Sequence, residues 1–202
     1  MESKAYDIVI LPGENVRDIA YIESQKLETQ STLFTLEEGT FYPHVSLYML
    51  QLKVIDVSKA MNVISQIAKT HNQFDLLAEK YHQIAGYIDI EYTKTDLLIK
   101  LQSDVITALN PIRDGLRLND QKRILTSTGV ELTNLQEYGY RAIGQLFEPH
   151  LTLTRFENLE PIDTSTMIVP ANYNGLYTHI GMFEMGENGT CIKPVGSFSF
   201  NA

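Results

Sequence analysis

Two short segments of this chain repeat one pattern, and the repeat constrains the fold more than any other feature of the sequence. Phe41-Tyr42-Pro43-His44-Val45-Ser46-Leu47 and Phe147-Glu148-Pro149-His150-Leu151-Thr152-Leu153 both run Pro-His-apolar-hydroxyl-apolar, about half the chain apart. On a β-strand, residues i and i+2 share a face. His44 and Ser46 therefore point one way, with Val45 and Leu47 turned back into a core, and His150 and Thr152 repeat the arrangement. His71, His82 and His179 are not followed by this pattern, and none has carboxylate or Cys spacing suited to a metal.

The surrounding sequence supplies alternating helices and strands. Tyr6–Leu11 is a short apolar strand stopped by Pro12-Gly13, and the apolar positions of Asn15–Leu27 recur at helical spacing. Residues 28–40 are expected to be a polar loop, and His44–Leu52 a strand opened by Pro43. Asp56 or Ser58 caps a helix running to Ala68. Strands are expected at Phe74–Ala78 and Ala85–Tyr92, then a helix from Thr95 or Asp96 to Leu109, ended by Pro111. Arg113–Leu125 is irregular and locally basic, and Leu132, Leu135, Tyr138 and Ala142 mark a further helix. His150–Phe156, Leu176–Met185 and Thr190–Phe200 complete the strands, the last two as a hairpin about Gly186-Glu187-Asn188-Gly189. Each half thus runs helix, polar loop, Pro-His, strand. The expectation is a duplicated αβ lobe within one domain spanning 1–202, with no linker between the halves.

The chemistry suited to two such histidines is phosphoryl transfer near neutral pH, because imidazole both accepts and donates protons there. One neutral ring takes a proton from the attacking hydroxyl, and one protonated ring gives a proton to the leaving oxygen. Hydroxyls at Ser46 and Thr152 stabilise charge growing on the non-bridging oxygens. This scheme needs no metal or cofactor.

At these residues the chain resembles the 2H phosphoesterase superfamily, the two-histidine proteins that include 2′,5′-RNA ligase-like enzymes and cyclic nucleotide phosphodiesterases. Its signature is a pair of His-x-Ser/Thr-x tetrads, matched by His44-Val45-Ser46-Leu47 and His150-Leu151-Thr152-Leu153. The resemblance implies an α+β bilobal fold: two pseudo-twofold-related lobes, each with a mainly antiparallel sheet and helices, sharing one groove. It implies metal-independent action on 2′,3′-cyclic phosphates, 2′-5′ linkages or cyclic nucleotides. His44 and His150 would be the acid/base pair, in either order, and Ser46 and Thr152 the phosphate ligands.

Other residues carry weaker expectations. Tyr48 and Thr154 continue the two histidine faces one step further and are candidates to reach substrate. Tyr42, like Phe147, Tyr138 and Tyr140, could stack a nucleobase. Arg155, at odd offset from His150, is expected on the opposite face in a structural ion pair. Arg113, Arg117, Lys122 and Arg123 form the best local candidate for a phosphate-facing patch.

Composition narrows the partners. Sixteen Lys+Arg against 25 Asp+Glu give a net charge of −9, which argues against gripping long duplex nucleic acid through its phosphates. A small nucleotide or an RNA end is the expected partner. The single cysteine, Cys191, excludes an intramolecular disulfide, and on the same ground no Cys-based zinc site is expected within the chain. No apolar stretch has the length to span a bilayer and the N-terminus is no signal peptide, so a cytoplasmic location without membrane contact is expected. Two other classes stay open: a nucleotide- or RNA-end-binding protein that keeps the pocket without turnover, and a metal-dependent hydrolase using histidines as ligands.

Overall fold

A computed structural model describes residues 2–29 and 31–202. The elements follow in the order β1 (Ser3–Pro12), α1 (Glu14–Lys26), β2 (Thr32–Thr35), β3 (Val45–Lys53), α2 (Val57–Ala68), β4 (Phe74–Leu76), β5 (Ala78–Ile84) and β6 (Tyr87–Tyr92). The second run is α3 (Asp96–Leu109), α4 (Leu118–Arg123), α5 (Gly129–Tyr138), β7 (His150–Phe156), β8 (Gly175–Met185) and β9 (Cys191–Ser199). The strands form an antiparallel sheet of order β4-β8-β1-β3-β7-β6-β5, with β9 on β8 and β2 on β7. This is the α+β architecture expected, and no helix among the described residues is long and apolar enough to cross a membrane.

The two Pro-His strands lie side by side at the middle of the sheet but touch at one register position, Val45 opposite Leu151. From there β3 continues into its ladder with β1, and β7 into its ladder with β6. The two sides are interleaved in sequence rather than being successive halves. One contains β1, β3, β4, β8 and β9, the other β2, β5, β6 and β7.

Both ladders carry the same irregularity. Ile8 pairs with Tyr48 but Val9 with Ser46, leaving Leu47 as an extra residue; Ile88 pairs with Thr154 but Asp89 with Thr152, leaving Leu153 extra. A bulge of this kind frees a backbone carbonyl and reverses the face on which the following side chains emerge. Buried side chains from two helices take up the freed carbonyls. Gln102 Nε2 on α3 donates to the Leu47 oxygen (3.0 Å), and Ser24 Oγ on α1 donates to the Leu153 oxygen (2.6 Å). Each helix thereby packs on the tetrad strand of the other side, α3 on β3 and α1 on β7, which locks the two sides together.

Some local expectations change. Residues 28–40 include the short strand β2, whose Thr-Leu-Phe-Thr alternation was too brief to stand out within a polar stretch. Ala85-Gly86 is a turn rather than the start of a strand, with φ of 51° and 82°. A Cβ at Gly86 would also sit 2.4 Å from the Phe156 oxygen, so glycine is required there. The preceding segment forms β5, an edge strand whose mostly polar side chains hide its pairing. Within the basic stretch, Leu118–Arg123 is a six-residue helix. Thr95 caps α3 by accepting from the Leu98 amide (3.2 Å).

Candidate active site

Val45, Leu47, Leu151 and Leu153 are fully buried, so the residues between them project from the opposite face, into the groove where β3 and β7 diverge. The antiparallel Val45–Leu151 pairing puts His44 on the side of Thr152 and Ser46 on the side of His150. His44 and Thr152 line a common cavity of about 10 Å³, room for roughly one water, walled by Phe34, Leu36, Phe41 and Tyr42.

The two histidines are held identically. His44 Nδ1 lies 2.7 Å from the Tyr42 carbonyl, and His150 Nδ1 lies 2.7 Å from the Glu148 carbonyl. A carbonyl only accepts, so Nδ1 carries the hydrogen in both rings, and Nε2 is the nitrogen left to exchange a proton. The Pro between carbonyl and histidine explains the geometry: its fixed φ turns the chain so that the ring folds back on the residue two before it.

The two hydroxyls are also matched. Ser46 Oγ donates to Asp7 Oδ2 (2.6 Å), and Thr152 Oγ1 donates to Asp89 Oδ1 (2.7 Å). Sequence reasoning missed both acids. Each stands between apolar neighbours, in Tyr6-Asp7-Ile8-Val9 and Ile88-Asp89-Ile90, and a carboxylate buried among apolar residues is a costly placement that points to a purpose. Asp7 is fully buried, and its Oδ1 has no hydrogen-bond partner among the described residues. Burial pushes its carboxyl up to about 7, opposed by the Ser46 hydrogen bond and the charges of Arg117 and His150.

The two sides differ in exposure. His44 is 12% exposed, with Nε2 3.7 Å from Asp7 Oδ2, whereas His150 is open to solvent. Burial pushes the His44 ring down to about 4, against the effect of the Tyr42 carbonyl and with a further push from His150. His44 is therefore neutral at physiological pH.

Tyr48 and Thr154 do not belong to the groove. The bulges turn both into the core, where they are fully buried. Tyr48 Oη donates to the Tyr138 carbonyl (2.7 Å) and to Asn110 Oδ1 (3.1 Å), and Thr154 Oγ1 donates to the Phe34 carbonyl (2.6 Å). Tyr48→Phe should cost about 1–2 kcal/mol of stability without raising KM, as urea melts and steady-state kinetics would show. A rise in KM at unchanged stability would return Tyr48 to the site.

The same reversal brings Arg155 to the groove face, against the parity expectation. Rather than an ion pair, it stacks over Tyr87 (4.6 Å) and donates to Asn188 Oδ1 (2.7 Å) in the β8–β9 turn and to the Ala85 carbonyl (3.2 Å). Tyr87 Oη also donates to the Asn188 carbonyl (3.2 Å), so this turn bridges the two sides of the groove. Tyr42 stays at the cavity wall beside His44, its ring 5.2 Å from that of Phe183. Phe147 and Tyr140 are buried core residues.

The basic stretch is not a free patch. Asp120 is fully buried between Arg117 (2.6 Å) and Arg123 (2.9 Å), and Arg113 is engaged by Asn110 and backbone carbonyls. As for metal donors, sequence spacing offered none, but folding brings Asp7, His44 and Cys191 from three distant segments to within 4.8 Å of one another at their ligand atoms.

No family model matches the sequence, and no curated protein matches it. Solved structures do match along the whole chain. E. coli LigT complexed with phosphate superposes with a TM-score of 0.62 at 13% identity, covering 100% of both chains. TT0787 of Thermus thermophilus gives 0.63 at 12% identity over 98% of each, and a crystal structure described as a phosphoesterase gives 0.62 at 12% over 100% of each. The chain has the fold of LigT. In this LigT-like fold the paired tetrads fall at the two central strands, and the departures from expectation at Tyr48, Thr154 and Arg155 lie just beyond the two bulges.

Proposed function

We propose that the chain is a metal-independent 2H phosphodiesterase acting on a small nucleotide or RNA-end phosphodiester: a 2′,3′-cyclic phosphate, a 2′-5′ linkage or a cyclic oligonucleotide. The observation that carries this reading is the duplicated holding of the two histidines. Both rings are fixed through Nδ1 to the carbonyl two residues before them, at the starts of two strands that adjoin at Val45 and Leu151.

In this reading His44, kept neutral by burial, is the base that takes a proton from the attacking water or hydroxyl. His150, whose ring is open to water, is the acid that gives a proton to the leaving oxygen. The reverse reaction would use the same pair with the roles exchanged and would join a cyclic phosphate to a free hydroxyl. Ser46 serves the phosphate best when Asp7 is protonated. The acid then donates to Ser46 Oγ across the 2.6 Å contact, and the hydroxyl proton is released to a non-bridging oxygen. Arg155 supplies a cation on the same face. The similarity to LigT, solved with phosphate and with 3′-AMP, supports a small phosphorylated ligand. The acidic body, at −9, supports nucleotides and chain ends over long duplexes, and the free, buried Cys191 suits a cytoplasmic setting.

The pH–rate profile tests the assignment of the base. Since His44 acts in its neutral form, kcat/KM should hold down to the depressed value and fall only as pH drops through about 4. A bound phosphate anion favours the charged ring, so the acid limb of kcat should lie at higher pH than that of kcat/KM. An acid limb of kcat/KM near the ordinary histidine value of about 6.5 would contradict His44 as the base.

A further inference from the structure

Behind the His44 ring, β9 brings up the side chain of Cys191. The thiol is fully buried beside Val9 and Phe183, and the backbone there is fixed, the Cys191 carbonyl accepting from the Tyr42 amide (3.2 Å). Its sulfur, an oxygen of Asp7 and a ring nitrogen of His44 all lie within 4.8 Å of one another.

Three features make this more than a chance cluster. First, Asp7 Oδ1 is fully buried and unpartnered while Oδ2 is tied to Ser46, so the acid presents a desolvated oxygen with nothing to satisfy it. Second, His44 is held as metal-binding histidines are held, with Nδ1–H on a carbonyl and Nε2 free. Third, thiolate, imidazole and carboxylate together form a borderline-soft donor set that suits zinc, with a fourth position left for a solvent or phosphate oxygen. His44 keeps the cluster open to the groove, at 12% exposure.

We infer that Asp7, His44 and Cys191 form a binding site for a thiophilic divalent cation, Zn²⁺ in the first place, and that occupancy switches the two-histidine centre off. Binding forms metal–sulfur and metal–oxygen bonds and sends to solvent the thiol proton and, where Asp7 is protonated, its carboxyl proton. It also takes the Nε2 lone pair of His44, the pair that would otherwise accept the proton of the nucleophile. The cation is thus an inhibitor. The inhibitory half of the inference rests on the proposed function, and the binding half does not.

The test uses the full chain stripped with chelator. Titration with Cd²⁺ should produce one equivalent of a thiolate-to-metal charge-transfer band in the ultraviolet, absent in Cys191→Ala. Zn²⁺ calorimetry should show one site, weakened at least about 100-fold in Cys191→Ala and in Asp7→Asn. Zn²⁺ should abolish hydrolysis of a 2′,3′-cyclic phosphate by the wild type, while Cys191→Ala, or Cys191→Ser if alanine leaves a destabilising cavity, stays active and resists the metal. No charge-transfer band at saturating Cd²⁺, or unchanged Zn²⁺ affinity in both variants, overturns the site. Equal Zn²⁺ sensitivity of wild type and the Cys191 variants overturns the switch. Absence of turnover in the metal-free protein strikes the proposed function alone, because the Cd²⁺ band reads binding without catalysis.

Discussion

His44→Ala and His150→Ala each lower kcat by about 10²–10⁴-fold, the usual contribution of one positioned acid or base, and neither loss is recovered by raising substrate. The two variants differ in what else they change. His150 is solvent-exposed and its ring bonds, among the described residues, to the Glu148 carbonyl alone, so His150→Ala should fold within about 0.5 kcal/mol of the wild type. It is the cleaner test. His44 fills a nearly closed position and donates to the Tyr42 carbonyl, so its removal should also cost about 1–2 kcal/mol. The double variant should be little worse than either single, since the two rings act as one unit. Rates measured alongside urea melts separate the two effects. Near-wild-type turnover in folded His150→Ala would remove the acid/base account.

Asp7→Asn raises stability at alkaline pH. The folded state lifts the Asp7 carboxyl from 3.8 to about 7, mainly through burial. A raised folded pKa means that the folded protein holds the proton more tightly than the unfolded chain does. Its contribution is therefore complete below about 3.8 and is lost as pH climbs through about 7. Above that, an ionised carboxylate sits in a dry site with one oxygen unpartnered. The roughly three-unit difference, at 1.36 kcal/mol per unit, sets a ceiling of about 4 kcal/mol. Asparagine keeps an acceptor for Ser46 and an N–H to donate, and it never ionises. Denaturant melts should show the variant more stable than the wild type by a few kcal/mol at pH 8, with the gap closing toward pH 4. It should also retain turnover at pH 6, because its amide stands in for the protonated acid. A wild type with pH-independent stability relative to Asp7→Asn would contradict the buried-acid account.

The sequence already carried the central strands and the four groove residues, because a histidine and a hydroxyl two apart on an otherwise aliphatic strand leave little freedom about which face is core. It misled just past those residues. Strict period-two alternation sends Tyr48 and Thr154 to the groove and Arg155 away from it, and one extra residue in each strand reverses all three. The signal was present in β3: the apolar positions run Val45, Leu47, then Tyr48, Leu50 and Leu52, an alternation that changes phase at the bulge. In β7 the phase change from Leu153 to Phe156 is fainter, because Thr154 hides its burial behind a polar name. Asp7 and Asp89 were visible as acids in apolar strands but could not be assigned partners, since their hydroxyls lie 39 and 63 residues away. The convergence of Asp7, His44 and Cys191 depends on β1 lying between β3 and β8, with β9 beyond, an order that no local pattern encodes. Ser24 and Gln102 look like ordinary helix polar residues until the bulge carbonyls they satisfy are located.

Phosphorus NMR of product formation separates two-histidine turnover from binding alone. Metal-free wild type in excess EDTA would be incubated with 2′,3′-cyclic mononucleotides, 2′-5′ dinucleotides and cyclic oligonucleotides, beside His150→Ala. The wild type should convert at least one of these to a phosphomonoester or opened product, and the variant none on the same timescale. Saturable binding of these nucleotides with no product after long incubation, or turnover that EDTA abolishes, would contradict it.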